Sequence, residues 1–326
     1  MQEAEGKSLV VVKPKRAVQL VALRLVSSAG EAGRFAWEEF FKGKIRNPHT
    51  RAAYLKAVRQ FLCWCEPRAG ELRDITPGMI GDYLDELKLA VPSKKVHLAG
   101  IRTFFDVLVQ RHVIVLNPAH SVKTERYSAM EGRTPEISVG QAQTLLASIK
   151  VESVIDYRDR TLIAVLIYTA ARAGAVAKLR LGDLLDDGRR CSLRFTEKGG
   201  KARTIPVNEK LETYLSEYLS VAGFNEESKA SPLFRTAGGR KLALSTTAMN
   251  GVDVCRMVKR RLKAAGLPTS ASPHSFRACV ATDLLSQNVA LEDVQYLLGH
   301  SDSRVTKLYD RRQKQVTRNI VEKISV

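Results

Sequence analysis

Basic side chains at three positions in the second half of the chain could bind a phosphate group. His274 and Arg277 lie three residues apart in His274-Ser-Phe-Arg277, so a helix would place both on one face, near its positive N-terminal end. Arg172 follows a long apolar segment at a turn, where an arginine is most often a surface or capping residue but can also reach an anion. Each of these signals is weak when it is taken alone.

A lysine beside a glycine turn adds a candidate proton donor. Lys198 lies in Glu197-Lys198-Gly199-Gly200-Lys201, at the predicted tip of a β-hairpin. A lysine there is usually just solvated, but a mobile one can reach into a DNA minor groove or donate a proton to a leaving oxygen. Lys201 and Arg203 compete for the same role.

A histidine and a tyrosine near the C-terminus are the last two candidate site residues. His300 follows Gly299, a turn residue at the end of a predicted helix, and Tyr309 comes nine residues later. Tyr309 is spaced from Val305 and Leu308 as a core residue would be. A lone tyrosine at such a position is more often part of a core than a nucleophile.

The combination of these residue types carries more information than any one of them. Arginines and a histidine can neutralise the charge of a developing phosphorane. A lysine can protonate a departing 5′ oxygen, and a tyrosine can form a covalent intermediate. Together they can support the attack of a phenol on a phosphodiester. That chemistry needs no carboxylate cluster for a divalent metal, and neither a metal nor a cofactor is expected.

The composition is that of a globular protein of two domains with a polyanionic partner. The chain has 326 residues, of which 44% are apolar and 26% charged, which excludes a wholly disordered chain. The 52 Lys and Arg residues exceed the 34 Asp and Glu residues by 18. Such an excess indicates nucleic acid as the partner, with a basic enzyme of unrelated function as the alternative.

Three features of the sequence indicate an intracellular protein without a membrane partner. No apolar run approaches the roughly 20 residues that span a bilayer. The first residues lack the basic and apolar regions of a secretory signal. The five cysteines are sparse and show no pairing pattern, as expected in a reducing compartment.

Apolar periodicity and turn residues divide the chain into four segments. Residues 1–32 are predicted to be a flexible basic arm, with a short helix over 17–26 as an alternative for part of it, and residues 33–120 a bundle of four helices. Residues 121–135 are polar and contain Gly and Pro, so they are predicted to form a linker. Residues 136–326 are predicted to form the second domain, with a short helix in its tail.

Helix signals dominate both domains, which predicts a mainly α fold with a small antiparallel β-sheet. In the first domain Thr76 is a predicted N-cap with Pro77 at the first helical position. In the second domain, helices are predicted at 138–149, 158–171, 173–179, 208–222, 245–265, 274–286, 290–298, 304–310 and 314–324. The β signal is the alternating run 190–195, which a glycine turn joins to 203–207 as a hairpin.

These motifs, in this order, resemble those of the tyrosine recombinases, the phage-integrase type of site-specific DNA recombinase. The resemblance covers residues 35–326 and rests in the second half on Thr169-Ala-Ala-Arg172, Lys198-Gly-Gly-Lys201, His274-Ser-Phe-Arg277, Leu297-Leu-Gly-His300 and Tyr309. In the first half, the helical segments and Asn117-Pro118-Ala119 look like the family's core-binding, SAM-like domain. The resemblance implies that 33–120 bind DNA and that 136–326 are catalytic.

The resemblance also implies which residues hold the DNA backbone. Arg172 and Arg277 would hold the scissile phosphate, and His300 would donate a hydrogen bond to it. His274 would assist proton transfer.

The resemblance also implies which residues make and break the bonds to phosphorus. Tyr309 would be the nucleophile, leaving a 3′-phosphotyrosyl bond and a free 5′ hydroxyl. Lys198 would be the general acid for the leaving oxygen. Because the bond energy is kept in the phosphotyrosine, neither ATP nor a metal would be required. A partner strand's 5′ hydroxyl would then attack, and two rounds would exchange strands through a Holliday junction.

The partners implied by the resemblance are double-stranded DNA sites and further copies of the chain. Four protomers would surround two DNA sites during integration, excision or resolution. The tail after Tyr309 has an apolar face, which would dock on a neighbouring protomer or pack on its own domain. The protein would act in the cytoplasm at the nucleoid of a prokaryote, or be encoded by a phage or mobile element; accessory proteins cannot be named from the sequence.

One residue departs from the family pattern. Ala175 stands three residues after Arg172, where the family usually has an acidic residue that supports the arginine and histidine of the site. Its absence implies slower cleavage, a substitute such as Asp183, or a habit of the subfamily. Two rival functions remain on the same fold, a type IB topoisomerase-like enzyme that relaxes supercoils as a monomer and a DNA-binding regulator without catalytic activity.

Overall fold

The computed structural model describes most of the chain, which forms two compact units. The described residues are 23–126, 135, 137–188, 190–196, 202–224, 227–238, 243–300 and 302–307. The units are Met1–Ser128 and Ala129–Val326, and the division falls inside the stretch for which a linker is predicted. Lys198, Lys201, Tyr309 and the predicted tail helix at 314–324 lie outside the described residues.

Helices build the described part of the first unit. They are α1 (Arg24–Ser28), α2 (Gly30–Glu38) with a π-helical turn (Glu39–Lys44), α3 (Pro48–Cys65), a 3-10 turn (Leu72–Asp74), α4 (Pro77–Glu86) and α5 (Val91–Gln110). Asn47 caps α3, because its side-chain oxygen accepts from the N–H groups of His49 and Thr50. The predicted cap at Thr76 is confirmed, since its hydroxyl accepts from the N–H of Met79 at 3.2 Å.

An aromatic core holds the first unit together and includes part of the predicted arm. The rings of Trp37 and Phe104 pack edge to face with centroids 5.7 Å apart. Leu25 and Val26 of α1 are fully buried in the same core. The prediction of a flexible arm is therefore wrong for residues 24–32, which are folded. Two core residues in a five-residue helix are too few to produce a helical period in the sequence.

The second unit combines helices with two small antiparallel sheets. Its described elements, in chain order, are α6 (Val139–Ser148), α7 (Val154–Thr169), α8 (Ala173–Val176), a 3-10 turn (Leu181–Asp183), β1 (Leu184–Asp186), β2 (Cys191–Thr196), β3 (Ala202–Pro206), α9 (Glu209–Ala222), β4 (Arg235–Ala237), β5 (Leu244–Ala248), α10 (Gly251–Ala264), α11 (Pro273–Ser286), α12 (Leu291–Leu298) and α13 (Ser303–Lys307). No helix in the described part of the chain has both the length and the apolarity of a membrane span.

The predicted hairpin is confirmed, and the structure adds strands that the sequence did not reveal. β2 pairs with β3 so that Phe195 lies opposite Arg203, and β1 adds a third strand on the other side of β2. β4 pairs with β5 in a second sheet. The predicted helix over 245–265 is wrong for 245–248, because this segment is paired with β4. α10 begins only at Gly251, where Asn250 accepts from two backbone N–H groups.

The apolar helix α7 lies in the core of the second unit, as its sequence predicts. Its residues 162–166 are fully buried. A smaller apolar cluster joins the end of α7 to α11 and α12; its buried members are Ala170, Ala278, Ala281, Leu285, Val294 and Leu298. This small cluster holds together the three segments that carry the candidate site.

Candidate functional site

Arg277 is buried at the centre of the candidate site. It lies on α11, and the residue is only 1% exposed. Its Nη1 donates to the carbonyl oxygen of Ala170 at 2.6 Å, and its Nη2 donates to the carbonyl oxygen of Leu298. The guanidinium therefore links α11 to the C-terminal ends of α7 and α12.

The carbonyl groups that hold Arg277 are available because they belong to helix ends. The last carbonyl groups of a helix have no partner inside it and carry the partial negative charge of the helix dipole. α7 and α12 are each followed by a residue in the left-handed region, Ala170 at φ 48° and Gly299 at φ 60°. These turns end both helices beside the guanidinium. The two carbonyl groups offset part of the free energy of burying its charge.

Arg172 extends the cationic cluster to the protein surface. It is the N-cap residue of α8, and its side chain is exposed. Its Nη2 lies 3.5 Å from the carbonyl oxygen of Gly299. Arg172 and Arg277 therefore meet at the same two-residue segment, Leu298–Gly299, although they come from distant parts of the sequence. This position is compatible with both interpretations of Arg172 from the sequence, a surface or capping residue and a ligand of an anion.

Two histidines lie within electrostatic reach of these guanidinium groups. The His274 side chain reaches the surface, yet partial loss of water around the ring and the positive charges of Arg277 and Arg172 lower its pKa below the ordinary value. His300 is half-buried, and its burial, followed by the charges of nearby basic residues, lowers its pKa to about 4; those residues are Arg277, Arg172, His274 and Arg203. Both imidazoles are therefore predominantly neutral at neutral pH.

Arg203 brings the hairpin to this cluster. It lies on β3 opposite Phe195, on the sheet face that it shares with the buried Ile205. Its Nε and Nη1 atoms are buried, and its charge contributes to the lowered pKa of His300. From the sequence, Arg203 competes with Lys198 for the role of proton donor. Because a guanidinium does not give up its proton in a protein, stabilising negative charge suits Arg203 better than donating a proton.

Two residues that the sequence analysis did not identify hold His300 in place. The Nδ1 atom of His300 lies 2.9 Å from Oγ1 of Thr306, which is fully buried. The His300 N–H donates to the backbone oxygen of Gln295 at 3.1 Å, and the Gln295 side chain donates to the His300 carbonyl at 3.1 Å. A threonine six positions after a histidine gives no recognisable signal, because only the turn between α12 and α13 brings it back to the ring.

The family's usual acidic residue is replaced by Ala175, and Asp183 is the acidic residue named from the sequence as a substitute. Ala175 is buried in α8, where its N–H donates to the Arg172 carbonyl at 2.8 Å. The carboxylate of Asp183 is engaged elsewhere, because Oδ1 accepts from Arg194 at 3.2 Å and Oδ2 from the N–H of Arg180 at 3.0 Å. Asp183 therefore caps the 3-10 turn before β1 and forms an ion pair with Arg194 on β2. Neither contact involves Arg172 or His274, the residues that the missing acidic residue would support.

The described residues form a site that suits a phosphate group. Three guanidinium groups supply fixed positive charge, and two neutral imidazoles supply N–H groups and lone pairs. A phosphodiester gains negative charge at its oxygens as it becomes five-coordinate. Fixed cations therefore stabilise that transition state more than the ground state. Of the six residues predicted for the site, the structure brings together Arg172, His274, Arg277 and His300, whereas Lys198 and Tyr309 lie outside the described residues.

Two family models match the chain, one in each unit. Residues 136–316 match the phage integrase family, and residues 37–112 match the phage integrase N-terminal SAM-like domain. Tyrosine recombinase XerD of Pseudomonas aeruginosa is 28% identical over 269 residues, which cover 80% of this chain and 86% of that protein. Tyrosine recombinase XerC of Pelobacter propionicus is 28% identical over 269 residues, which cover 81% of this chain and 84% of that protein.

Solved structures share the fold. XerH site-specific recombinase bound to a palindromic difH substrate, in a post-cleavage complex, gives a TM-score of 0.63 at 18% identity and covers 84% of this chain and 77% of its own. A lambda integrase tetramer bound to a Holliday junction gives 0.62 at 19% identity, with coverage of 90% and 80%. Since the family model spans more than half of its residues, this chain belongs to the phage integrase family and is a tyrosine recombinase.

Proposed function

We propose that this protein cuts and rejoins DNA strands at a specific site through a 3′-phosphotyrosyl intermediate and a Holliday junction. The observation that carries the proposal is the convergence of Arg172, Arg203 and Arg277 with two neutral histidines at one place. These five side chains can neutralise the charge of one phosphate, but none of them is proposed to form a covalent bond with it. The reacting groups that we assign to this site are Lys198, which lies between β2 and β3 in the sequence, and Tyr309, which follows α13.

The cleavage step uses the chain's own side chains. The phenolic oxygen of Tyr309 attacks the phosphorus, and its proton passes to a neutral imidazole, for which His274 is the proposed acceptor. The bond between phosphorus and the 5′ oxygen breaks, and Lys198 gives that oxygen a proton. The products are a 3′-phosphotyrosine and a free 5′ hydroxyl. The guanidinium groups of Arg172 and Arg277 stabilise the extra negative charge of the five-coordinate phosphorus.

The rejoining step reverses these roles with a different strand. The 5′ hydroxyl of a partner strand attacks the phosphotyrosine and gives its proton to the Lys198 amine. The bond between phosphorus and Tyr309 breaks, and the phenol leaves with the proton that His274 held. The energy of the phosphodiester is conserved throughout, so strand exchange is close to neutral in free energy. Two such rounds convert two duplexes into recombinant duplexes through a four-way junction.

The proposed assembly is a tetramer on two DNA sites. Each protomer would contact the duplex with both of its units, and the net charge of +18 favours such phosphate contacts. The tail after Tyr309 would join neighbouring protomers. A duplex and a protein surface of this charge attract each other over a Debye length of about 8–10 Å, so binding should weaken steeply with salt.

Covalent trapping in the cell tests this function and supplies the missing DNA sequence. Cells that express the full chain are lysed under denaturing conditions, and the DNA that stays attached to the protein is sequenced. We expect a few defined sites, with the protein on a 3′ phosphate. Adducts scattered over the genome, together with relaxation of supercoiled plasmid by the purified monomer, would indicate a topoisomerase; DNA binding with no adduct would indicate a regulator.

A further inference from the structure

A buried hydroxyl group lies within hydrogen-bond distance of the His300 ring. Thr306 lies on α13 and has no exposed surface. Its Oγ1 atom lies 2.9 Å from the Nδ1 atom of His300, which is a normal hydrogen-bond distance.

The direction of this hydrogen bond decides what the other nitrogen of the ring can do. The pKa of His300 is lowered to about 4, so at neutral pH the ring carries one N–H group. If Thr306 donates to Nδ1, the hydrogen of the ring must be on Nε2. If Nδ1 donates to Thr306, Nε2 carries a lone pair and cannot donate to a phosphate oxygen. A hydroxyl can act either way, so the anion that the site binds selects between the two arrangements.

The backbone of His300 is already fixed, so the threonine acts on the ring. Gln295 bonds both the N–H and the carbonyl group of His300, each at 3.1 Å. This double contact holds the main chain at the turn between α12 and α13. The bond to Thr306 then restrains the rotation of the imidazole and leaves Nε2 as the ring nitrogen available to a ligand, in a site where the charges of Arg277, Arg172 and Arg203 act on this ring.

We propose that Thr306 is a positioning residue whose hydroxyl donates to Nδ1 of His300 and so presents Nε2–H to the scissile phosphate. This inference rests on the proposed function, because it gives the Nε2–H group a phosphate to bind. It also gives the buried hydroxyl of Thr306 a function. The same bond ties α13 to His300, and Thr306 itself stands three residues before Tyr309, the proposed nucleophile.

The tautomer of His300 can be measured with inorganic phosphate in place of DNA. The full chain is labelled with ¹⁵N-histidine, and the six imidazole signals are assigned with single His→Gln variants, His300→Gln among them. At neutral pH we expect Nδ1 of His300 to be the unprotonated nitrogen and Nε2 to carry the hydrogen. A spectrum in which Nδ1 carries the hydrogen would overturn the proposal.

Kinetics of three variants test the consequence for cleavage. The substrate is a nicked duplex with the DNA site recovered by covalent trapping, on which each cleavage event leaves a stable adduct. Thr306→Val keeps the shape and removes the hydroxyl, so single-turnover cleavage should fall roughly 10- to 100-fold. Thr306→Ser restores the donor and should stay within about threefold of wild type. DNA affinity should change less than about twofold in both variants.

A matched control separates this effect from the loss of any buried hydroxyl. Thr161 is also fully buried in the second unit, and its hydroxyl donates to the backbone oxygen of Tyr214 at 2.8 Å. Thr161→Val should cleave at the wild-type rate at a temperature where it is folded. If Thr306→Val cleaves as fast as wild type, or Thr306→Ser is as slow as Thr306→Val, the inference fails.

The outcomes also separate this inference from the proposed function. If the wild-type protein forms no adduct on its recovered site, the proposed function fails while the tautomer measurement still stands. If the wild-type protein cleaves and Thr306→Val matches it, the proposed function stands and the role of Thr306 is lost. Should Thr306→Val fail to fold, the tautomer of the wild-type ring and the rate of Thr306→Ser decide the question.

Discussion

The Nη1 atom of Arg277 donates to the carbonyl oxygen of Ala170 at 2.6 Å, across 107 positions of the chain. A second bond runs from the same guanidinium to Leu298. A buried arginine is thus held by two main-chain groups at helix ends and not by side chains that could rotate away. Together with the small apolar cluster, Arg277 therefore holds α7, α11 and α12 in place near the site. We infer that it is also a phosphate ligand.

Replacing Arg277 by lysine should separate charge from geometry. Arg277→Lys keeps the positive charge, but a single ammonium group cannot reproduce the two diverging donors of the guanidinium. We expect single-turnover cleavage to fall by about 10² or more, and the second unit to lose about 1–3 kcal/mol of stability from a buried carbonyl left unpaired. Adduct formation on the nicked duplex and thermal unfolding measure the two effects.

Arg194→Lys is the control for this substitution. Arg194 is a half-exposed arginine of the same unit, where it pairs with Asp183 at 3.2 Å, and a lysine can keep that ion pair. It should cleave and unfold like the wild-type protein. A wild-type cleavage rate for Arg277→Lys would show that the two carbonyl contacts do not position the site.

The sequence predicts the elements of this fold where their signals are local. The cap at Thr76, the helix after Ser138 and the hairpin of β2 and β3 are confirmed, because capping residues and alternation act over a few positions. The strand β5 was missed because it is short, rich in Ser and Thr, and mostly exposed. Its partner β4 has only three residues, so neither strand carries an alternating pattern.

The sequence predicts the site residues but not how they are held. His274 and Arg277 are separated by a helix spacing, which suggests two side chains on one surface. In the structure Arg277 is buried and His274 reaches the surface, because carbonyl groups from α7 and α12 draw the guanidinium inward. The same holds for Thr306 and Arg203, because the sequence does not place either residue beside His300. Their roles depend on contacts between segments that the chain order does not reveal.

The stability of the second unit should depend on pH through His300. Its pKa is about 4 in the folded protein and about 6.5 in an unfolded chain, so between these values the unfolded chain binds a proton that the folded one does not. The free energy of unfolding should therefore fall as the pH drops from 6.5 toward 4, with no further loss from this residue below 4. His300→Gln should flatten the dependence in this window.

Denaturant unfolding at several pH values, followed by far-UV circular dichroism, measures this slope. His120→Gln removes an exposed histidine of the first unit and serves as the control. It should leave the slope as in wild type. An unchanged slope in His300→Gln would mean that this imidazole is not held neutral by its surroundings.

A bridging sulfur should identify the proton donor. When sulfur replaces the 5′ bridging oxygen of the scissile phosphate, the leaving group departs without a proton. We expect Lys198→Ala to slow cleavage of ordinary DNA by about 10²–10⁴ and to recover on the sulfur substrate. Lys201→Ala should have a much smaller effect on either substrate.

Arg203→Ala provides the contrast in the same experiment. Because Arg203 acts through fixed charge in the proposed mechanism, its loss should slow cleavage on both substrates alike. If the cleavage rate of Arg203→Ala recovered fully on the sulfur substrate, Arg203 would be the residue through which the leaving oxygen receives its proton. Equal effects of Lys198→Ala and Lys201→Ala would contradict the assignment of Lys198.

Asp159 should be a main support of the second unit. Its carboxylate is fully buried on α7 and accepts from three arginines, with Arg158 at 2.6 Å, Arg260 at 2.5 Å and Arg261 at 2.8 Å. Removing one partner of a buried ion network leaves uncompensated charge. Asp159→Ala should therefore destabilise the second unit by about 3–5 kcal/mol.

The placement of tryptophans allows this effect to be assigned to one unit. Both tryptophans of the chain, Trp37 and Trp64, lie in the first unit, so their fluorescence follows that unit alone. Circular dichroism follows both units. Asp159→Ala should lower the dichroism transition and leave the fluorescence transition in place, whereas Glu212→Ala, which removes an exposed acidic residue of α9, should change the stability by less than about 1 kcal/mol. A loss below about 1 kcal/mol in Asp159→Ala would contradict the role of the network.

The most direct test of the proposed mechanism is the covalent bond itself. Purified wild-type protein and Tyr309→Phe are incubated with the nicked duplex that carries the recovered site, and the attached peptide is identified by mass spectrometry. The wild-type protein should carry the DNA on Tyr309, and Tyr309→Phe should bind the duplex with similar affinity but form no adduct. An adduct formed by Tyr309→Phe, or a wild-type adduct on any other residue, would contradict the account.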